Sequence, residues 1–365
     1  MGSSLHIPNQ TPSDCLCRFS SEQIRTRALD QSRRCSERPQ FGRGATCSSP
    51  GNTRDLQVEV DLDLPLSTCC ESGKNPAMRV ENTLEIATRD PDVIAGHAHA
   101  IRIDVLRMIA PIGQGYVQQG LGAAEIFTAL YFAVLRLDPA DATAADRDRC
   151  VLSTAHNSAV FHATLAQRGL LPRDRLAQYC QDGSPVEINV SERLGPLVEA
   201  TCGSLGQGMS VAVGMALSGR RRGRGYRVYV ILGDGELQEG QVWEAAMAAG
   251  SHALGNLCVV LDLNRMQVEG DTERVLKMQP IADKFRAFGF HVCECDGHDL
   301  GALLSAFDAA VAVPQRPTII IAHTTAGKGV PFLEGQLAHH IKLPRDMAEA
   351  ALRALHAPQG REVQR

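Results

Sequence analysis

The sequence predicts an α/β protein: a doubly wound, mostly parallel sheet with helices on both faces. Two apolar runs, residues 228–232 and 257–263, have strand length and read as continuous hydrophobic segments, as expected of strands that are covered on both faces. A helical pattern of about fifteen residues, near 241–254, separates them. Strand, helix and strand together predict one βαβ unit with a right-handed crossover.

Further elements follow from the same two patterns. Apolar residues at helical spacing, among them Ile94, Ile101, Val105 and Ile109, predict a helix over about 92–110. A glycine-rich turn then separates it from a second helix near 123–137, and residues 153–156 open another helix after a short strand at 150–152. Further helices are predicted near 209–217, 282–288, 300–311 and 344–355. Strands are predicted near 292–295 and 318–321.

Composition excludes several classes of protein. The chain has 365 residues, of which 44% are hydrophobic and 21% charged, with a formal net charge of −4. A soluble globular protein of one large or two smaller domains is expected, with neither nucleic acid nor a membrane as a partner. No apolar run is long enough to cross a bilayer. Six of the twelve cysteines lie after residue 77, most of them in apolar runs. We expect these to be reduced thiols in a cytoplasmic protein.

Residues 1–77 differ from the rest of the chain. They are rich in Ser, Arg, Pro and Cys and show no sustained period of 3.6 or 2. A disordered tail, a transit peptide and translated upstream sequence ahead of a start at Met78 are the three interpretations. The hydrophobic core of a secretory signal is missing. We therefore expect a non-structural extension at 1–77 and a single folded domain over 78–365.

The candidate site lies where the two apolar strands end. Asp234 follows the first strand and Asn264 the second, about thirty residues later. The carboxyl ends of parallel strands share one edge of a sheet, where ligands bind, so these side chains should converge. Carboxylate and amide oxygens suit Mg²⁺, with Ca²⁺ as a possible substitute. Gly233 and Gly235 allow close backbone approach, and a helix start nearby favours an anion. Together they predict a site for a diphosphate bridged by a divalent cation.

The wider motif resembles a known family. Gly233-Asp234-Gly235 followed by Asn264 resembles the thiamine diphosphate signature, and the segments GDGELQEGQVWEA, LGNL and DLNRMQVEG are similar to those of transketolases. The alternative is an ordinary βαβ unit in which Asp234 caps a helix and Asn264 closes a turn. The segments LSTAH, TCGSLGQG, DGHD and TTAGKGV occur in the family's order. The resemblance implies the thiamine diphosphate-binding fold.

The resemblance also implies roles for individual residues. Asp234, Asn264 and the carbonyl of Met266 would hold Mg²⁺, while Gly235 and His156 would contact the diphosphate. Gly233 and Glu236 belong to the same cofactor turn, and Glu239 would lie at a dimer interface near the partner's cofactor-activating glutamate. Other residues implied in cofactor binding are Gly203, Ser204 and Leu205 on the aminopyrimidine side, and either His339 or His340 as a second histidine at the diphosphate.

Two positions depart from the family pattern. Tyr116 stands where transketolases have a substrate-contacting histidine, and Ser184 stands in place of the histidine of a GHP motif. An imidazole donates, accepts and carries charge, whereas a phenol or a hydroxyl does less near neutral pH. We therefore expect Tyr116 and Ser184 to be active-site residues that change the choice of sugar.

The implied reaction is transfer of a two-carbon ketol unit from a ketose phosphate to an aldose. Family members also need an activating glutamate and an apolar wedge from a second α/β domain, which we expect from a partner subunit carrying the pyrimidine-side and C-terminal domains, in a dimer or an α₂β₂ assembly. Two alternatives are another thiamine diphosphate enzyme, such as a 2-oxo acid dehydrogenase E1 subunit or a deoxyxylulose-phosphate synthase, and a non-catalytic remnant of the fold. The residues after Gly235 argue against the other enzymes.

Overall fold

The computed structural model describes residues 88–357. The predicted extension at 1–77 and the predicted domain start at Met78 lie outside the described residues. Five strands, all paired in parallel, form the central sheet in the order β1-β2-β3-β5-β4. Their bounds are β1 Arg149–Leu152, β2 Val228–Gly233, β3 Leu257–Leu263, β4 His291–Asp296 and β5 Thr318–His323. The predicted doubly wound parallel sheet is confirmed.

Ten α-helices of the described residues surround the sheet. They are α1 Pro91–Ile109, α2 Val117–Gly122, α3 Ala124–Ala129, α4 Ser158–Gln167, α5 Gln207–Arg221, α6 Gly240–Ser251, α7 Thr272–Val275, α8 Ile281–Ala287, α9 Leu300–Ala312 and α10 Arg345–His356. The single helix predicted over 123–137 is wrong in its bounds. The chain breaks helical geometry at Ala123, and α3 passes into a π-helical turn, Leu130–Val134.

Alternate residues of the strands serve two separate cores. In β2, Val228, Val230 and Leu232 pack with α5, α6 and α8, whereas Tyr229 and Ile231 face α1, α3 and α4. Both faces of β2 and β3 are therefore buried, which is why these two strands are apolar almost throughout. Asp262 in β3 is the polar exception and is 1% exposed. No helix among residues 88–357 is long and apolar enough to cross a membrane.

Two short antiparallel pairs lie beside the sheet. Gln114–Gly115 pairs with Ile341–Lys342, and the amide of Leu343 donates to the carbonyl of Gly113 at 2.7 Å. This pairing draws the segment before α10 against the start of α2, next to the carboxyl edge of the sheet. The second pair, Met266–Gln267 with Gly270–Asp271, forms the turn after β3.

Candidate cofactor site

A cavity of about 390 Å³ opens at the carboxyl edge of the sheet. Loops after β1, β2 and β3, the loop before α5 and the start of α2 all contribute to its wall. The lining residues are Tyr116, Gln119, Thr154, His156, Asn157, Asn189, Gly203, Leu205, Gly233, Asp234, Gly235, Glu236, Gln238, Glu239, Asp262, Asn264, Met266, Gln267, Val268 and His339. The convergence that the strand ends predict is present.

Asp234 lines this cavity and has one carboxylate oxygen without a hydrogen-bond partner. The residue is 1% exposed; its Oδ2 accepts from the Thr272 hydroxyl at 2.9 Å, while its Oδ1 has no hydrogen-bond partner. Burial raises the pKa of Asp234 to about 7, and nearby Asp262 acts in the same direction, while the Thr272 hydroxyl and the backbone amides of Gly235 and Arg265 act against the shift. A buried carboxylate is costly unless a cation or donor pairs with it.

Asn264 and Met266 surround the same point. Nδ2 of Asn264 donates to Oδ2 of Asp262 at 2.9 Å, so the atom that remains is Oδ1, which accepts from the amide of Met266 at 2.9 Å. Asp262 is itself held by the Thr324 hydroxyl. These bonds fix the amide orientation of Asn264, because only its nitrogen can donate to a carboxylate.

The backbone at this point leaves room for a ligand and not for another side chain. A Cβ on Gly235 would lie 3.3 Å from the Met266 carbonyl oxygen and 3.2 Å from Gln267 Cγ. Arg265, between Asn264 and Met266, has a backbone φ of 62°. This left-handed conformation is uncommon for residues other than glycine. Residues 88–357 hold no cluster of three or more His, Cys, Asp or Glu side chains suited to a metal. A cation here would rely on one carboxylate, one amide oxygen and one backbone carbonyl, a donor set that fits Mg²⁺.

Glu236 joins three loops beneath the cavity. Its Oε1 accepts from the Ser153 hydroxyl and from the amide of Gly206 at 2.7 Å, and its Oε2 accepts from the amide of Gly233 at 3.3 Å. Burial raises the pKa of Glu236, while these three donors oppose the shift. Its carboxylate is therefore engaged within the protein, at the floor of the cavity. A short 3₁₀ turn, Gly235–Gln238, follows, and α6 begins at Gly240, close to the start predicted near 241.

An aromatic cluster forms the opposite wall. The ring centroids of Tyr116, His156 and His339 lie 5.0–5.5 Å apart. Burial lowers the pKa of His156 to about 3, and His339 nearby contributes; burial also lowers the pKa of His339. Both imidazoles are therefore neutral near pH 7, with one N–H each to offer an anion. Of the two candidate histidines, His339 lines the cavity, while the more exposed His340 only packs edge-on against Tyr116.

Ser184 lies away from this cavity. It lines a separate surface depression, and its Oγ accepts from the amide of Val186 at 3.0 Å. Asn189, five residues further along the chain, occupies the cavity wall instead. The loop that should supply the second specificity residue therefore contributes Asn189, and the geometry gives no support for a role of Ser184 at the site.

The remaining predicted residues lie at the rim. Gly203 and Leu205 line the cavity, whereas Ser204 is exposed and does not. Glu239 is exposed at the edge. The loop before α5 is fixed to the α6 side, since Gln241 donates to the carbonyl of Leu205 at 3.0 Å. Lining residues that sequence reasoning missed are Gln119, Thr154, Asn157, Asn189, Gln238, Asp262, Gln267 and Val268. Of these, Asp262 carried a signal, as a lone carboxylate in an otherwise apolar strand.

Residues 95–355 match the protein family described as transketolase, thiamine diphosphate binding domain. The chain belongs to the transketolase family. The resemblance drawn from the motifs is thereby confirmed, and the matched part is the family's thiamine diphosphate-binding domain. The other thiamine diphosphate enzymes considered from the sequence receive no support.

Curated relatives of this transketolase-family chain fall into two groups. It is 39% identical over 259 residues to a 6-deoxy-6-sulfo-D-fructose transketolase subunit of Clostridium sp. (strain MSTE9), covering 71% of the chain and 94% of that protein. It is 37% identical to an apulose-4-phosphate transketolase subunit of Actinobacillus succinogenes, covering 72% and 96%. Against the transketolase of Pongo abelii, at 35% identity, 71% of the chain covers 41% of the relative.

Solved structures agree with the sequence match. The transketolase of Campylobacter jejuni superposes with a TM-score of 0.69 at 29% identity, over 73% of this chain and 43% of that one. A transketolase of Pichia stipitis in complex with sedoheptulose 7-phosphate gives 0.69 at 29% identity, over 72% and 41%. The chain therefore corresponds to about two fifths of these longer transketolases.

Proposed function

We propose that this chain is the cofactor-holding subunit of a two-subunit transketolase that moves a two-carbon ketol unit from a ketose phosphate to an aldose, using thiamine diphosphate and Mg²⁺. The observation that carries the proposal is the unpaired Oδ1 of Asp234, buried beside Asn264 and Met266 within the family's cofactor domain. Without a cation this oxygen would remain a desolvated, unpaired acceptor.

Each residue of the cation site has a distinct task. Asp234 supplies charge, and the Thr272 hydroxyl engages its Oδ2, which leaves Oδ1 available to a cation. Asn264 and the Met266 carbonyl supply two further oxygens, and Asp262 keeps the Asn264 amide in place. Such outer partners strongly affect metal affinity. Gly233 and Gly235 leave space for a diphosphate alongside the ion.

Neutral histidines suit the other side of the diphosphate. His156 and His339 each offer an N–H without requiring a charged side chain in a buried wall. Thiamine diphosphate supplies the carbanion chemistry when bound; the chain binds it, orients it and keeps a wall of neutral donors around it. Tyr116 packs against both histidines and borders the space where a sugar would enter.

A partner subunit would complete the site. Gly203 and Glu239 border the cavity in the open, and Val268 at the same cavity is 67% exposed. The two subunit-type relatives are matched over almost their whole length. We infer an α₂β₂ assembly in which Glu239 meets the partner, since family active sites pair about a twofold axis.

The substrate class follows from the relatives named for a sulfosugar and a sugar phosphate. A polyhydroxylated ketose with a terminal anion is therefore the proposed substrate. The proposed location is the cytoplasm, which is supported by the six free cysteines of the described residues, because disulfides are rare there. Tyr116 and Ser184, at two family histidine positions, would suit a non-catalytic remnant, but the cation donors and both histidines remain in place, which favours an enzyme.

Two measurements test the proposal. Calorimetry should give thiamine diphosphate binding by the purified chain with Mg²⁺ or Ca²⁺ and much weaker binding in EDTA. The chain plus a candidate second subunit should then form product from D-xylulose 5-phosphate, D-fructose 6-phosphate or 6-deoxy-6-sulfo-D-fructose with an aldose phosphate, while the chain alone should not. Cation-independent binding, or full turnover by the chain alone with host transketolase excluded, would refute it.

A further inference from the structure

Gln119, on α2, has an amide oxygen without a partner in the cavity wall. The residue is 2% exposed, and its Nε2 donates to the carbonyl oxygen of His339 at 2.7 Å. A carbonyl oxygen can only accept, so the amide cannot be turned around without losing this bond. The remaining atom, Oε1, is thus fixed as an acceptor, and it has no hydrogen-bond partner in the described part of the chain.

Asn157 repeats the feature from a different segment. It directly follows His156, lines the same cavity and is 2% exposed. Its Nδ2 lies 3.3 Å from the Thr154 hydroxyl oxygen, and its Oδ1 is unpartnered. Buried amide groups are normally satisfied, because leaving one unpaired costs free energy. Both residues line one cavity, where a bound ligand or ordered water can complete their hydrogen bonds.

The chemistry of the wall selects the kind of ligand. A diphosphate offers only acceptor oxygens and cannot pair with Oε1 of Gln119, whereas a hydroxyl group can donate to it. No Lys or Arg lines the cavity within residues 88–357, so this wall is not built for a terminal phosphate or sulfonate. What it offers is an amide oxygen, a second amide and the phenol of Tyr116.

We propose that Gln119 and Asn157 form a hydroxyl-binding subsite for the polyol chain of the ketose substrate, next to Tyr116 and His339. The inference rests on the proposed transketolase function and adds to it the residues that read the sugar. Gln119 accepts from one hydroxyl, and Asn157 pairs with another in either amide orientation. The terminal anion is then left to the partner subunit.

The test uses the complete two-subunit complex with D-fructose 6-phosphate and D-xylulose 5-phosphate as donor probes. Gln119→Met keeps the length of the side chain and removes the acceptor, and Asn157→Ala removes the second amide. Each should raise the KM for the turned-over ketose by roughly 3- to 10-fold, the loss expected for one hydrogen bond. Thiamine diphosphate affinity, measured by calorimetry, should stay within about twofold of wild type.

Gln118→Met is the matched control. Gln118 precedes Gln119 on α2, is 0% exposed and has both amide atoms unpaired, but it does not line the cavity. Its variant should leave the KM for sugar unchanged. Unchanged KM in Gln119→Met and Asn157→Ala would mean that water fills the subsite and would overturn the inference. So would a parallel loss of cofactor affinity, which would assign the amides to the cofactor.

Different results would contradict the proposed function and the hydroxyl-binding subsite. A wild-type complex that binds no thiamine diphosphate, or turns over neither ketose while binding it, contradicts the proposed function and the subsite with it. Normal binding and turnover with flat KM values in both variants contradicts the subsite alone.

Discussion

The Thr272 hydroxyl donates to Oδ2 of Asp234 at 2.9 Å and leaves Oδ1 of the same carboxylate without a partner. The bond engages one oxygen of a buried carboxylate, so the other oxygen remains available to a ligand. The isolated chain therefore carries a group that lowers its free energy of unfolding. A bound cation would neutralise this group and remove that cost.

Asp234→Asn should separate these two effects. At pH 8 in EDTA the wild-type carboxylate is ionised, because the pH is above its pKa of about 7. The variant lacks this buried charge, so its free energy of unfolding should be higher by roughly 1–3 kcal/mol and its melting temperature should rise. Its affinity for thiamine diphosphate with Mg²⁺ should fall by at least about 100-fold. Thermal melts and calorimetry check both results.

Thr272→Val is the companion variant. It should keep the charge and lose the orientation, so cofactor affinity should fall by roughly tenfold, the size of effect typical of an outer partner of a metal ligand. Equal cofactor affinity in wild type and Asp234→Asn would remove the cation site from consideration.

Tyr116 and Asn189 should determine substrate choice. Both line the cavity, whereas Ser184 does not. Tyr116→His and Asn189→His should each change the ratio of kcat/KM between D-fructose 6-phosphate and D-xylulose 5-phosphate by about tenfold, because polar contacts to sugar hydroxyls discriminate strongly. Ser184→His should leave that ratio unchanged. The reverse pattern would restore Ser184 as the specificity residue.

Glu239 should matter only in the assembled enzyme. Its side chain is exposed at the cavity rim, so Glu239→Gln should leave the melting temperature of the chain and its cofactor affinity within error. Turnover by the two-subunit complex should fall about tenfold or more if the carboxylate orients a partner group. Glu244→Gln, at another exposed position on α6, is the control. Equal losses in both variants would indicate a general surface effect.

His162 should make unfolding sensitive to acid. Burial lowers its pKa to about 4, with Nε2 bonded to the carbonyl of Glu187 at 3.1 Å. Between about pH 6.5 and 4 the imidazole is protonated in the unfolded chain but stays neutral in the folded chain. The contribution of His162 to the free energy of unfolding is therefore complete above pH 6.5 and is lost as the pH falls. The loss approaches about 1.4 kcal/mol per pH unit.

Chemical denaturation across pH 4.5–7 checks this. His162→Gln should reduce the proton uptake on unfolding by about one, relative to wild type, and exposed His252→Gln should not. The comparison isolates one histidine, because raised carboxylate pKa values such as that of Asp234 act in the opposite direction in all three proteins. Identical slopes would contradict a neutral buried imidazole.

Regular elements account for what the sequence predicted. The carboxyl ends of β2 and β3 bring Asp234 and Asn264 together because strand length and parallel pairing leave no other arrangement. Ser184 and Asn189 belong to a stretch without strands or α-helices, where only 3₁₀ turns such as Arg173–Gln178 occur. With no period in that stretch, matching a short motif such as GHP gives no reliable register.

The sequence could not distinguish His339 from His340 for the same reason, but the structure shows that His339 lines the cavity. Both lie in an irregular segment, and local sequence treats them alike. The pairing of Gln114–Gly115 with Ile341–Lys342 places the segment against α2, and the bond from Gln119 to the His339 carbonyl helps hold His339 at the cavity. Contacts between residues more than two hundred positions apart decide which imidazole lines the cavity, and no local pattern records them.

The buried carboxylate of Glu236 connects the strand-end loop at Ser153, the glycine-rich loop at Gly206 and the turn at Gly233. Three segments that are distant in the chain are thus held in position within the protein itself. A cofactor that enters such a site loses its own freedom but does not have to order these three loops. The backbone amides of these loops should therefore already be protected from hydrogen exchange before the cofactor binds.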